Sequence, residues 1–295
     1  MFENERMIFI LNYANPIFTK ENYTLSIDNV VINFVFTDSD AYEGLLVLLF
    51  TLSDATCKSW TSIKCGNYHD QHKIVMHDET SFWLGVGLNR GTTNWKKCRI
   101  DFNPNKVAEH KAFQEILNYL ITHTVPEHRK VKRFDLAIDI PVQRNDVFLT
   151  KDRRIYTEYR QGQSWTQYLG RKSHAGYVKL YNKQYESNLP RPLTRLELTI
   201  DPSKPYEKLG FPKVTYLDDL QMVFEDLKLT DTDHFILNAL IHGTGTVKDL
   251  GRRMRQKMQM LVDSYVRRVE ISREDYSAVL QQLYSYIREP LRSAA

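Results

Sequence analysis

A tyrosine set among lysines marks the stretch 176–186, "GYVKLYNKQYE". If it is extended, Tyr177, Lys179, Tyr181 and Lys183 share one face. Upstream, "RFDLAID" (133–139) alternates Asp135, Ala137 and Asp139 against Phe134, Leu136 and Ile138. Aspartate is a poor strand residue, so two on one face need a reason. Either the face meets water or the acids hold a divalent cation. Four residues of strand span about 13 Å. An ion with ligands at about 2.1 Å reaches both carboxylates only if the strand bends. One acid would then be a ligand and the other would orient a partner. Downstream, "LTRLELTI" (193–200) gives Arg195, Glu197 and Thr199 a common face.

A phosphodiester strand transfer uses these parts. A nucleophile attacks phosphorus, carboxylates hold a metal that polarises the phosphoryl oxygens, and cations offset the developing charge. Tyr181 is the candidate nucleophile, with Lys179, Lys183 and Arg195 as cations. A phenol ionises near pH 10. It must be activated by a metal, a base or nearby cations, and Lys179 and Lys183 would favour the phenolate. "GRKS" (170–173) either wraps a phosphate with Arg171, Lys172 and Ser173 or is a plain hairpin tip. The alternative for Tyr181, one of 17 tyrosines, is an amphipathic cover for a sheet. The alternative for Arg195 and Glu197 is a same-face ion pair of little worth.

The chain has 295 residues, 42% hydrophobic and 26% charged, which suits one large domain or two modest ones. No apolar run approaches the roughly 20 residues of a membrane span. The acidic start, Met-Phe-Glu-Asn-Glu-Arg, is unlike a signal peptide, so a cytoplasmic protein is expected. Cys57, Cys65 and Cys98 form no CxxC pair and read as idle thiols. Net charge is only +4, yet residues 127–195 hold fifteen Lys or Arg against seven Asp or Glu. With its interleaved aromatics, that basic middle suits a polyanion with stackable bases, or is a solvated face.

These residues need strands to present them. Strand signals fall at Thr24–Phe36, Ser81–Leu88, Lys96–Phe102, Val131–Ile140, "SWTQYLG", "YVKLYN" and "LTRLELTI". Helices are expected at 41–52 behind Asp38, Ser39 or Asp40, from Pro104 to about Thr122, and around 217–227. "GNYHDQH" (66–72) reads as a polar loop. Strands then a helix, twice, suggest a duplicated unit, with pseudo-repeats 1–125 and 126–230 forming a core of 1–230. Residues 231–295 read as a helical C-terminal region, with Asp231 or Thr232 and the pairs Thr246/Asp249 and Ser272/Asp275 as caps, and "HGTGT" (242–246) as its flexible junction. The expected class is α+β with a largely antiparallel sheet, since parallel βαβ alternation is missing.

Taken in order, "RFDLAID", "YLGRKS", "KLYNKQYE" and "TRLEL" resemble the Rep-trans family, the initiators of staphylococcal-type rolling-circle plasmids and related phage and conjugative proteins. The motifs cover about 65 residues, and "SIDNVVINF" is similar to the family's opening strand. The resemblance implies an origin-nicking and closing enzyme. Its tyrosine, here Tyr181, keeps the 5′ phosphate as a phosphotyrosine and frees a 3′ hydroxyl primer. It also implies an acidic site for Mg²⁺ or Mn²⁺, placed here on Asp135, Asp139 and Glu197 with Glu186 as a further candidate. A homodimer, a host helicase partner and an origin, hairpin or single-stranded DNA substrate are implied likewise. Better-known rolling-circle nickases use His-hydrophobe-His, and the nine histidines here contain no such pair. Carboxylates must then hold the ion, as hard cations prefer. For origin recognition, Arg252 and Arg255 in "RRMRQKMQ" offer a basic helix, or merely its exposed face.

Two other readings stay open. A DNA-binding module of similar fold would use Tyr181 only to stack on a base. A tyrosine recombinase or topoisomerase shares the nucleophile but needs an Arg/His set that this acid-rich group does not supply.

Overall fold

The computed structural model describes residues 18–20, 23–56, 59–62, 67–88, 94–216, 229–241, 247–265, 267–268 and 271–288. Its strands are β1 (Phe18–Lys20), β2 (Tyr23–Val35), β3 (Ser59–Ser62), β4 (Tyr68–Val75), β5 (Ser81–Leu88), β6 (Lys97–Phe102), β7 (Lys130–Ile140), β8 (Val147–Leu149), β9 (Tyr156–Gln161), β10 (Ser164–Leu169), β11 (Val178–Asn182), β12 (Thr194–Ile200), β13 (Lys213–Tyr216) and β14 (Arg267–Arg268). The helices are α1 (Ser39–Thr56), α2 (Pro104–Val107), α3 (Lys111–Thr122), α4 (Lys183–Glu186), α5 (Asp231–Ile241), α6 (Arg252–Tyr265) and α7 (Arg273–Arg288).

One antiparallel sheet dominates, in the order β3-β4-β5-β6-β2-β7-β12-β11-β10-β9, with β1 beside β2. Read outward from the centre, β2-β6-β5-β4-β3 and β7-β12-β11-β10-β9 follow the same plan: the first strand of each half pairs with its last. Alternation gives the sheet two unlike faces. On β7, Phe134, Leu136, Ile138 and Ile140 are buried in the main core, where α1, α3 and α7 meet the sheet. Asp135 and Asp139 face the other way and stay half-buried. A slip of one residue would exchange these sets, so burial of the apolar set fixes where the acids stand.

Local chemistry sets the helix ends. Asp38 Oδ1 accepts from Ala41 N at 2.8 Å and caps α1. The expected 104–122 helix is broken: α2 starts at Pro104 under an Asn103 cap, and α3 starts afresh at Lys111. Phe113, Ile116, Leu117, Leu120 and Ile121 form one buried stripe along α3. The cap of α5 is Thr230, one residue before the expected pair; its Oγ1 accepts from Asp233 N while Asp233 Oδ2 accepts from Thr230 N. Ser272 caps α7 through Asp275 N.

"GNYHDQH" is not a loop beyond its start. Tyr68–Val75 is β4, whose partners on both sides are strands. The helices of the region from 231 pack onto the rest of the fold. Tyr276, Val279, Leu283 and Tyr286 of α7 belong to the main core, and Tyr286 meets Phe102 edge-on at 5.4 Å. Helices α5 and α6 give Leu237 and Met258 to a second cluster with Phe148 and Trp165. A small sheet, β14-β13-β8, completes the fold, with no signal in the sequence reading. The helix expected near 217–227, the 242–246 junction, Thr246, Cys57 and Cys65 lie outside the described residues. Cys98 is buried and free.

Phe134 sits at the centre of the sheet, fully buried. Phe134→Ala should lower the unfolding free energy by roughly 3–5 kcal/mol, read from urea denaturation.

Candidate active site

Strand pairing brings the distant sequence motifs onto one face. In register, Arg195 lies opposite Asp139, Glu197 opposite Ala137 and Thr199 opposite Asp135. On the other side of β12, Lys179 lies opposite Glu197 and Tyr181 opposite Arg195. Directly opposed side chains are close enough to interact.

Arg195 anchors the group. Its Nε and Nη2 donate to Asp139 Oδ1 and Oδ2 at 2.6 and 2.7 Å, and Nη1 donates to Asp28 Oδ1 at 3.2 Å. The side chain is only 11% exposed. Burial opposes its charge, but the Asp139 bonds and the Asp28 charge prevail and raise its pKa. Both Asp139 oxygens are thereby taken. Sequence reasoning missed Asp28. It is the extra residue of a bulge in β2, between Ile27 opposite Leu136 and Asn29 opposite Asp135. Bulges re-aim a side chain. The signal was the polar pair Asp28-Asn29 breaking the alternation of "TLSIDNVVINF".

Tyr181 is 5% exposed, yet its hydroxyl is not in apolar packing: it donates to Glu197 Oε1 at 2.7 Å. Lys179 Nζ lies 3.8 Å from the Tyr181 ring centroid and 3.6 Å from Glu197 Oε2. Lys183 is not on the strand. β11 ends at Asn182, whose side chain caps α4 through Tyr185 N. From α4, Lys183 Nζ pairs with Glu186 Oε2 at 2.7 Å and lies 6.0 Å from the Tyr181 ring. The expectation that the lysines would draw out a phenolate is corrected. Burial, then the Glu197 charge and hydrogen bond, push the Tyr181 phenol well above its ordinary value. Glu186 is held low: burial opposes its charge, but Lys183 outweighs it, and the Tyr181 hydroxyl adds to the effect.

The acids divide by role. Asp135 accepts from Thr199 Oγ1 at 2.6 Å. Burial raises the pKa of Asp135, and the nearby Asp28 charge adds to it. Burial also raises Glu197, with Asp28 and Asp135 adding to it against Lys179. These are hard oxygen donors held close enough to disfavour each other's ionisation. Among the described residues, no three His, Cys, Asp or Glu side chains are gathered to hold an ion unaided.

The remaining candidates fall elsewhere. Arg171, Lys172 and Ser173 form an exposed turn between β10 and β11, where Ser173 takes φ +66° and its carbonyl accepts from Arg133 Nη1. Beside that turn a cleft of about 510 Å³, which sequence reasoning missed, is lined by Arg153, Arg154, Lys204, Lys208 and the site's own Thr199. Arg252 is exposed on α6, whereas Arg255 Nη2 bonds the Lys248 and Leu250 carbonyls before that helix. Nothing places these two arginines beside Tyr181.

No family model matches the chain. The chain is similar to curated replication initiation proteins. One, from Staphylococcus aureus, is 24% identical over 191 residues, 57% of this chain and 55% of the relative. Another from that organism is 27% identical over 101 residues, 32% and 30% of the two chains. The chain thus spans about half the length or less of the curated relatives it matches. A solved rolling circle replication initiator protein from Geobacillus stearothermophilus aligns over 92% of this chain and all of its own, at 11% identity and a TM-score of 0.39.

The raised carboxyl pKa values have a consequence for stability. As pH rises past the unfolded value of about 4.3, the unfolded chain loses its protons first. Stability then falls until the folded Asp135 and Glu197 ionise too. Glu197→Gln should therefore resist urea better than wild type at neutral pH, with the gap closing well below pH 4.3 or so.

Proposed function

We propose that this chain is a replication initiator that cuts and rejoins one DNA strand at a rolling-circle origin, with Tyr181 as nucleophile. One observation carries the reading: the Tyr181 hydroxyl sits 2.7 Å from Glu197 on a sheet face ringed by Lys179, Lys183 and Arg195. The similarity to replication initiation proteins supports the biological setting.

Burial and the Glu197 charge raise the Tyr181 pKa, so the phenol holds its proton in the resting site. Its proton must leave as the new bond forms, along a hydrogen bond already made. Glu197 is that base, since its Oε1 already accepts the hydrogen bond from the Tyr181 hydroxyl. The tyrosine oxygen bonds to phosphorus as the bond to the 3′ oxygen breaks. The phenolic proton goes to Glu197, and the departing oxygen takes a proton from water to become the 3′ hydroxyl. Rejoining runs the steps backwards. Lys179 and the fixed guanidinium of Arg195 offset the charge gathering on the phosphoryl group. Asp139 and Asp28 hold Arg195 in place.

A Mg²⁺ or Mn²⁺ ion fits the donor chemistry of Asp135 and Glu197. Magnesium is commonly held by one or two carboxylates plus substrate phosphates, so a third protein acid is not required. When bound, it would polarise the phosphoryl oxygens. The exposed Arg171 and Lys172 and the cleft at Lys204 and Lys208 offer phosphate contacts to the strand.

The burial of Tyr181 favours a second reading, in which it only packs and the chain binds DNA without cutting. Labelled single-stranded origin oligonucleotides with Mg²⁺ or Mn²⁺ decide between them on denaturing gels. Cutting should need the metal, vanish in Tyr181→Phe and fall by at least about a hundredfold in Glu197→Ala. Folded wild type that binds the oligonucleotide but never cuts it would establish the second reading.

A further inference from the structure

The shared strand plan of the two halves extends to single residues. Val30 and Phe134 pair with each other at the sheet centre. Val30 also pairs with Phe102, and Phe134 with Ile200. A two-fold axis through the Val30–Phe134 pair thus lays the β2–β6 ladder on the β7–β12 ladder. The match continues to the far end, where Phe34–Cys98 falls on Ile138–Leu196. Through β5 and β11 it places Gly85 on Lys179 and Gly87 on Tyr181.

Every acid and the nucleophile change under this operation. Tyr181 becomes Gly87, Glu197 becomes Arg99, Asp135 becomes Val31 and Asp139 becomes Val35. One cation survives, since Arg195 falls on Lys97 while Lys179 falls on Gly85, and Tyr177 falls on Trp83. At these matched positions the first half therefore keeps positive charge and aromatic surface but carries no tyrosine or acid in place of Tyr181, Glu197, Asp135 and Asp139.

What it keeps is arranged for stacking. Trp83 is half-buried and meets Tyr68 edge-on at 5.5 Å, and Arg99 lies 5.8 Å from the Tyr68 ring. Gly85 is required there, because a Cβ would stand 2.3 Å from the Trp83 ring. Exposed Lys73 is opposite Trp83 in register, and exposed Lys97 follows on β6. Trp83, Lys73 and Lys106 line a cleft of about 570 Å³. Of the three acids on that cleft, Asp101 faces Arg133 at 3.7 Å, Asp78 faces His110 at 3.1 Å and Glu79 is exposed.

We infer that the first half is a non-cutting copy of the catalytic half, and that its face around Trp83, Lys73, Lys97 and Arg99 binds single-stranded DNA. Cationic sheet surfaces bearing aromatic rings hold single strands by stacking and phosphate contact. The occupant is the same strand that Tyr181 cuts. From β11 to β5 is five inter-strand steps, about 24 Å across one continuous sheet. This inference rests on the proposed cutting function of the second half, and the experiment separates the two.

Two oligonucleotides are compared, a short one covering only the nick site and one longer by about ten nucleotides. Trp83→Ala should weaken binding of the longer one roughly tenfold, and Trp83→Phe should restore most of it. Lys73→Glu with Lys97→Glu, both exposed and so tolerated by the fold, should weaken it too and flatten its salt dependence. All variants should cut the short oligonucleotide at the wild-type rate. Folded variants that hold the longer strand as tightly as wild type would overturn the inference. Wild type that cuts neither oligonucleotide would instead overturn the reading beneath it.

Discussion

The buried knot of Arg195 with Asp139 and Asp28 holds the site together. It ties β12 to β7 and β2, one bond per guanidinium nitrogen. Removing one member of such a buried pair costs about 3–5 kcal/mol, because the other charge is stranded. The knot also fixes register. With Arg195 opposite Asp139, Thr199 stands opposite Asp135 and Glu197 stays on the open face; the pairing of β11 with β12 then sets Lys179 opposite Glu197 and Tyr181 opposite Arg195. A slip of one residue would send Glu197 into the core and Leu196 onto the open face.

Around that anchor the protein keeps groups that a stability criterion alone would not select. Tyr181 loses water yet keeps a polar partner, and Glu197 and Asp135 hold proton affinities that burial raises. Such shifts concentrate where charge is to be moved or a cation received. The contrast within one sheet sharpens the point. In the corresponding positions of the first half stand Gly87, Arg99 and Val31, none of them a buried acid or nucleophile. The two halves thus share a strand order and differ in the side chains that the open face carries.

Much of this was legible in sequence because it rests on period-two alternation. β5 was found to the residue, and β7 and β12 to within one, since apolar residues alternate cleanly in "VKRFDLAIDI" and "LTRLELTI". The shared face of Asp135, Asp139, Arg195, Glu197 and Tyr181 followed from the same rule. Three-dimensional pairing did not. That Tyr181 meets Glu197, sixteen residues on, while Asp139 is spent on Arg195, fifty-six residues on, depends on the register of three separate strands. Asp28 was hidden by a bulge, and Lys183 by the Asn182 cap that turns the chain into α4. β4 was missed because His69, Asp70 and Gln71 give a strand at the sheet's margin a polar sequence. The sign of the Tyr181 shift was misjudged because burial, which a sequence does not display, outweighs nearby lysines.

The central claim is that Tyr181 carries the cut strand. Trypsin cleaves after Lys179 and Lys183, so the residues between them, Leu180 to Lys183, form one short peptide. Mass spectrometry of protein reacted with an origin oligonucleotide and then digested with nuclease and trypsin tests the claim directly. The account predicts a nucleotide 5′ phosphate on that peptide, fragmenting to Tyr181. The same mass on Tyr177 or Tyr185, or a reacted sample with every tyrosine unmodified, would contradict it.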